Sequence, residues 1–210
     1  VDNGGIIKLV GAFQRMAGDF HITGQMDGKT AVAGDLLSAG RIAVDGNVGA
    51  TGEITVGGFC DGNILTGQMG GSIEVGDDLL LDGSITVDGN LGATGEITVN
   101  GLCDGNILIG KRTASGSLIS LPGGLGLNGI VTVNDTLGPF FKTSGTIHVG
   151  PDVQPADVEF NGSIRIMKDF GGVIKVVGCH ATGADLDICI CGDNLGSVEI
   201  VQLNCSNQVG

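Results

Sequence analysis

The sequence lacks several residue types on which common functions depend. It has no Trp, no Tyr and only 7 Phe in 210 residues, so it is without the usual aromatic platforms for stacking bases and without the amphipathic anchors of many interfaces. Basic residues are also scarce, because 10 Lys and Arg stand against 23 Asp and Glu, for a net charge of −13. Since phosphate binding requires a basic surface, we expect no nucleic-acid partner.

Long apolar runs are missing as well. Apolar stretches extend for only a few residues before a Gly or a charged residue interrupts them, whereas a membrane-spanning helix needs about 20 apolar residues. We therefore expect no membrane insertion. Pro is rare, at 4 residues, while hydrophobic residues make up 41% of the chain, a composition that argues against wholesale disorder.

Glycine, by contrast, is abundant, with 41 residues, far above its usual share of about 7%. It does not recur at every third position, which excludes collagen. Instead it punctuates an internal repeat: residues 24–66 and 67–109 form two ungapped units of 43 residues that are identical at 29 positions. Residues 110–150 form a degenerate third unit, and residues 151–210 diverge further and contain four of the 6 cysteines.

A short theme, G-x-I-x-V, recurs within each unit. Its alternation of apolar with small or polar residues is typical of a β-strand with one buried face. The Ile and Val of the theme stay fixed between the units while their neighbours vary, as where Ala43 is replaced by Thr86. We predict that Ile and Val face inward and the alternating residues face solvent. Gly and Asp-Gly between the strands predict corners that use positive φ.

Two near-identical units in tandem favour a solenoid over an antiparallel sandwich. A sandwich gives each strand a different environment, whereas stacked coils place each side chain against its equivalent. Four strands per unit allow one coil of 43 residues or two shorter coils of two strands, and we favour two because 43 residues is long for one circuit. The prediction is an all-β fold: a parallel β-solenoid (β-helix) over residues 1–150, with short Gly-rich strands and a divergent C-terminal cap over residues 151–210.

The cadence of GSITVDGNLG (83–92) and GEITVNGLC (95–103) resembles that of right-handed parallel β-helix proteins of the pectate-lyase-like type. It is also similar to that of the polymer-forming bactofilins. The first resemblance implies a polysaccharide substrate and charged catalytic residues on one strand face, but no residue of this chain maps onto such a role. The second implies a cytoplasmic filament, from which the chain departs in its 6 cysteines and its long repeat unit.

The tripeptide Asp-Gly-Asn occurs four times, beginning at Asp45, Asp61, Asp88 and Asp104. Acidic side chains repeated along a solenoid can form a ladder of oxygen ligands for Ca²⁺, which makes these aspartates the candidate metal ligands. The interpretation that we favour is that Asp-Gly-Asn makes the turn itself, because Asn tolerates left-handed backbone. We expect no other cofactor.

The cysteines fall into two groups. Cys60 and Cys103 occupy equivalent corners of the two units, where a separation of two coils, roughly 9.6 Å, forbids a disulfide, so we predict free buried thiols. Four others lie near the C-terminus beside His180 and are the disulfide candidates: Cys179, Cys189, Cys191 and Cys205. Free thiols and a metal site are the alternatives for this group, although no C-x₂-C pair is present. In a strand, Cys189 and Cys191 share one face.

No catalytic residue is assigned. GLGLNG at 124–129 matches G-x-G-x-x-G, but a strand follows it rather than the helix that a dinucleotide site requires. His148 takes an outward position in its strand theme, which predicts a solvated side chain and not a base. Paired carboxylates such as Asp77 and Asp78 can serve glycoside chemistry if they meet in a cleft, and a solvated acidic face is the simpler interpretation.

We therefore expect a non-enzymatic structural or cell-surface protein: a stalk, a spacer or a self-assembling fibre subunit. Solenoid ends carry unpaired backbone groups that favour end-to-end pairing unless capped, so the expected partner is a second copy. The cysteine cluster favours an extracellular or cell-surface location. The alternative is a carbohydrate-active β-helix that binds or cleaves polysaccharide on one sheet face. A third hypothesis is ice or mineral binding on a face bearing Thr55, Thr86 and Thr98.

Overall fold

The computed structural model describes residues 6–9, 15–110, 125–127, 130–134, 137, 145–149, 158–160, 162–178 and 187–202. Within these ranges every regular element is a β-strand, and the strands pair in parallel. The described part of the chain contains no helix long and apolar enough to cross a membrane.

Two sheets of eight strands each form the body of the protein. The first sheet contains, in spatial order, β1 (Ile6–Leu9), β3 (Lys29–Val32), β5 (Glu53–Val56), β7 (Ser72–Val75), β9 (Glu96–Val99), β12 (Ile130–Val133), β15 (Ser163–Ile166) and β17 (Asp187–Ile190). The second sheet contains, in spatial order, β2 (Asp19–Ile22), β4 (Arg41–Val44), β6 (Asn63–Thr66), β8 (Ser84–Val87), β10 (Asn106–Ile109), β13 (Thr146–Val149), β16 (Val173–Gly178) and β18 (Ser197–Gln202). A separate two-stranded sheet pairs β11 (Leu125–Leu127) with β14 (Val158–Phe160).

Successive strands of the repeat alternate between the two sheets, so the chain winds as a parallel β-solenoid. In the second sheet Ile42 pairs with Ile64, and Ile64 pairs with Ile85. Two coils of two strands each therefore span one 43-residue unit. This confirms both the predicted solenoid and the preference for two short coils per unit.

Inside the solenoid, like residues stack on like. The second sheet carries a column of Ile42, Ile64, Ile85, Ile107, Ile147 and Ile174. The first sheet carries a column of Val32, Val56, Val75, Val99 and Val133. All of these side chains are buried, which confirms that the Ile and Val of the theme face inward. Each such burial stabilises the fold by about 1.5–3 kcal/mol relative to exposure.

The corners between strands are formed by two lines of single-residue parallel bridges. One line contains Met16, Leu36, Cys60, Leu79, Cys103, Leu137, Phe170 and Asn194. The other contains Met26, Val48, Met69 and Leu91. Every side chain in the two lines is buried except that of Asn194. The core is thus enclosed by two sheets and two corner lines.

Glycine is required at many corners because neighbouring coils approach closely. A Cβ atom added to Gly71 would lie only 2.0 Å from the carbonyl oxygen of Gly52 in the preceding coil. The prediction that corners depend on positive φ is wrong for most positions. Among the described glycines, positive φ occurs at Gly24, Gly110 and Gly145. Glycine is needed at the other corners because the coils are only about 4.8 Å apart, which leaves no room for a side chain that points along the stack.

Both main sheets continue into the C-terminal region. Strands β15 and β17 extend the first sheet, and β16 and β18 extend the second, in the same parallel arrangement as the repeat coils. The division of the chain at residue 150 and a capping role for residues 151–210 stay predictions.

Candidate functional site

The four candidate metal-ligating aspartates lie at two different corners. Asp45 and Asp88 follow β4 and β8, whereas Asp61 and Asp104 precede β6 and β10. The members of each pair are two coils apart, because one further strand of the second sheet lies between their strands. The structure therefore does not bring the four carboxylates together. Among the described residues, no three His, Cys, Asp or Glu side chains cluster as a metal site.

The environments of these aspartates also differ. Burial raises the pKa of the Asp88 carboxyl, while the equivalent Asp45 is exposed and lies 2.7 Å from Nε2 of His21. Asp104 Oδ1 is buried and has no hydrogen-bond partner among the described residues. A calcium ladder needs equivalent oxygens in successive coils, and these aspartates do not provide them.

Other corner side chains connect one coil to the next. The Leu102 N–H donates to Oδ1 of Asp78 at 2.8 Å, and the Asp193 N–H donates to Oδ1 of Asp169 at 3.0 Å. Because both hydrogen bonds run between coils, they satisfy backbone groups that the strand pairing leaves free. Asp78 and Asp169 therefore stabilise the stack of coils.

Cys60 and Cys103 are buried free thiols, as predicted. Leu79 lies between them in their corner line, so no disulfide can join them. Burial raises the pKa of each thiol to about 12. A thiol that stays protonated and out of contact with solvent is chemically inert and serves as a small hydrophobic side chain.

Cys189 and Cys191 are also free, but they are exposed. Their Sγ atoms lie 3.8 Å apart on one face of the chain, with Ile190 facing the core between them. Cys189 is in register with Arg165 of β15. The other two disulfide candidates, Cys179 and Cys205, lie outside the described residues, as does His180. The C-terminal region thus presents an accessible dithiol.

The prediction of a solvated His148 is wrong, because this side chain is only 8% exposed. His148 takes the expected outward position on β13, in register with Leu108 and Lys175. Strand β14 of the separate small sheet packs close to β16, the neighbour of β13. Strand alternation predicts the face on which a residue lies, but it does not predict which chain segments lie near that face.

The three outward threonines do not form a single array. Thr55 and Thr98 lie on the first sheet with Glu74 between them in register, while Thr86 lies on the second sheet. The hydroxyls of Thr55 and Thr98 donate to neighbouring carboxylates on their own strands. These groups are engaged within the protein, and the spacing of a regular binding surface is missing.

The last described coil exposes side chains that the preceding coil buries. Val198 and Ile200 of β18 are in register with the buried Ile174 and Val176 of β16, yet they are 41% and 62% exposed. In β17, Ile188 and Ile190 are half-buried against the end of the core. We call these four residues the C-terminal end face: Ile188, Ile190, Val198 and Ile200.

Open backbone edges border this end face. Strands β17 and β18 are the last strands of their sheets, and no described residue pairs with their outer edges. The corner line ends at the exposed Asn194, whereas the coil before has the buried Phe170 at that position. The end face is therefore apolar with one polar corner, and within the described part of the chain the outer backbone edges of β17 and β18 have no strand partner.

The sequence does not single out these end-face residues. SVEIVQ follows the same alternation as the strands of the repeat, and only its place as the last instance of the theme distinguishes it. Comparison with models of known families, with curated proteins and with solved structures finds no match to this chain.

Proposed function

We propose that the protein is a non-enzymatic structural rod whose copies associate head to tail through the C-terminal end face. The observation that supports this most strongly is the exposure of Val198 and Ile200, at 41% and 62%, on the outermost coil. Full burial of one such aliphatic side chain is worth about 1.5–3 kcal/mol. Covering the end face is therefore favourable, and the adjoining strand edges supply directional hydrogen bonds.

A second copy of the chain offers a complementary surface. Because the strands pair in parallel, the two ends of the solenoid differ, with β17 and β18 at one end and β1 and β2 at the other. The outer edges of β17 and β18 in one copy can therefore pair with those of β1 and β2 in the next copy, as consecutive coils pair within one chain. Phe20 of β2 is half-buried and begins the column that continues at Ile42. Such a head-to-tail contact is heterologous, and it extends into an open filament when the rotation does not close.

Charge favours association at the ends over association at the sides. The chain has a net charge of −13, whereas the four residues of the end face are uncharged aliphatics. Like charges along the rods keep them apart in solution. The expected assembly is therefore linear.

Two sequence features support the same proposal. The cadence of the strands resembles that of the polymer-forming bactofilins, and the lack of Trp and Tyr weighs against the alternative of a polysaccharide-active β-helix, which would use such rings to stack sugars. We include an extracellular or cell-surface location in the proposal, supported by the four cysteines among residues 151–210.

The test compares two variants that each place one lysine on β18. Ile200→Lys puts a charge into the end face, while Ser197→Lys puts the same charge on the outer side of the same strand. We expect the mass measured by light scattering to rise with wild-type concentration, and negatively stained images to show rods that lengthen. Ile200→Lys should be monomeric, and Ser197→Lys should behave as the wild type. A monomeric wild type, or equal behaviour of the two variants, would overturn the proposal.

A further inference from the structure

The exposed pair Cys189 and Cys191 has a geometry suited to covalent chemistry. Their Sγ atoms are 3.8 Å apart, and both thiols are free. No other described cysteines share this arrangement, since Cys60 and Cys103 are buried at positions two coils apart. The pair is part of the C-terminal region: Cys189 lies on the outer side of β17, and the exposed Cys191 directly follows that strand.

We propose that Cys189 and Cys191 form a thiol–disulfide exchange site, which closes to an intramolecular disulfide when it reacts with a small disulfide such as glutathione disulfide. This site is independent of the proposed head-to-tail association, because Cys189 points to the outer face and not to the next coil.

The backbone permits this disulfide but strains it. Two residues that are i and i+2 in a strand have Cα atoms about 6.6 Å apart, near the upper end of the range of about 4.4–6.8 Å that disulfides tolerate. The Cys191 N–H donates to the Ile166 carbonyl at 2.9 Å, and the Gly192 N–H donates to the Lys168 carbonyl at 3.0 Å. Because these bonds hold the backbone, closure relies on side-chain rotation. A strained and exposed disulfide is readily reduced again, which suits reversible exchange.

The surroundings of Cys189 favour its protonated form. The hydrogen bond to Cys191 raises the pKa of the Cys189 thiol, as do the charges of Cys191 and of Asp187, while Arg165 acts in the opposite direction. The attacking species is the thiolate, and a raised pKa makes the Cys189 thiolate form less readily than that of an ordinary cysteine.

The exchange balances in two steps. A thiolate of the pair attacks one sulfur of R–S–S–R, which forms a mixed disulfide with the protein and releases RS⁻. The second cysteine loses its proton to solvent and attacks the protein sulfur of the mixed disulfide. The bond between Cys189 and Cys191 forms, and a second RS⁻ leaves. The protein gives up two electrons and two protons, and R–S–S–R is reduced to two thiols.

The test uses the full chain with Cys179→Ser and Cys205→Ser, so that the remaining cysteines are the two buried and the two exposed ones. After incubation of the folded protein with glutathione disulfide, we expect the intact mass to fall by two hydrogen atoms with no glutathione retained. Peptide mapping should place the new bond between Cys189 and Cys191 and find Cys60 and Cys103 unmodified. A roughly tenfold excess of reduced glutathione should restore the dithiol.

Single replacements show whether the pair acts as a unit. With Cys189→Ser or Cys191→Ser added, the second step is blocked, and each variant should retain one glutathione. If the background variant does not fold, the same mapping on the unaltered chain gives the answer. The proposal is overturned if the intact pair retains glutathione without closing, if it does not react, or if it forms disulfides between chains instead.

Discussion

The repeat coils and the last described coil share one sequence theme but differ in what they bury. In β8 of the repeat Ile85 and Val87 are fully buried, while in β18 the corresponding inward residues Val198 and Ile200 are 41% and 62% exposed. Both strands have the same alternation, and each pairs in parallel with the strand of the coil before it, β8 with β6 and β18 with β16. At the C-terminal end of the stack, the inward residues of the last described coil therefore lose the burial that a following coil gives to Ile85 and Val87.

The thiols of the two regions show the same difference. Burial in the repeat raises the pKa of Cys103 to about 12, which makes its thiolate form about a thousandfold rarer than for an ordinary cysteine. The exposed pair at Cys189 and Cys191 has no such shielding. Interior coils bury their inward side chains, whereas the last described coil leaves aliphatic and thiol side chains accessible to solvent.

The largest expected effect comes from disturbing the stack at a glycine corner. Gly71→Ala places a Cβ 2.0 Å from the backbone oxygen of Gly52, so two coils must separate. We expect a loss of about 3 kcal/mol in the free energy of unfolding, measured by chemical denaturation. Gly18→Ala is the control, because its added Cβ meets nothing within 4 Å. An equal effect of the two changes would contradict the role of close coil spacing.

The second prediction tests directly whether burial depends on the stack. Ile85→Ala removes a fully buried side chain and should destabilise the protein by about 2–5 kcal/mol. Ile200→Ala, measured at concentrations where the chain is monomeric, should cost less than about 1 kcal/mol because its side chain is already 62% exposed. Equal losses in thermal or denaturant unfolding would show that the last coil is covered in solution.

The third prediction concerns an irregularity within the repeat. Thr66 is in register with Val87, but its buried Oγ1 has no hydrogen-bond partner among the described residues. Thr66→Val should stabilise the protein by about 1 kcal/mol, because it removes a buried hydroxyl without changing the shape. Thr98→Val should bring no gain, since the Thr98 hydroxyl donates to Glu96 at 3.2 Å. A destabilising Thr66→Val would mean that this hydroxyl is satisfied.

The smallest effect involves charges on the outer face. The hydrogen bond from Lys29 holds the pKa of Glu53 below its usual value of 4.5. The stabilisation is therefore present above that value and is lost as the pH falls through the lowered pKa. Both side chains are more than a third exposed, at 41% and 35%, so Glu53→Gln should cost at most about 0.5 kcal/mol at pH 7.

The matched control for Glu53 is its equivalent in the second unit. Glu96 occupies the same repeat position but pairs in register with Ser72 of β7 and Ile130 of β12, so Glu96→Gln should have no comparable effect. Unfolding measured from pH 7 downward should show the Glu53→Gln difference shrinking in acid. A difference that grows in acid would reverse the assigned sign.

The fold was predictable because its main determinant, the periodic recurrence of apolar residues, can be read directly from the sequence. Ile and Val alternate with small or polar residues, and two nearly identical units require equivalent environments. The length of the coil followed from the strand count per unit. The role of the corner glycines did not follow, because a close approach between coils depends on residues about 22 positions apart, as for Gly62 and Gly40.

The candidate site was less predictable for a related reason. Strand alternation alone predicts that Cys189 and Cys191 lie on the same face, and the structure places their Sγ atoms together on one face. The burial of His148 and the exposure of Ile200 depend on which segments lie nearby or do not. A single strand contains no information about the segment that covers it.

Hydrogen exchange at β18 as a function of protein concentration tests the head-to-tail contact most directly. If a second copy pairs with this edge, the amides of Ser197–Gln202 should become protected as the concentration rises, while those of Ser84–Val87 in the interior stay equally slow throughout. Exchange at β18 that stays fast and unchanged at every concentration would contradict the account.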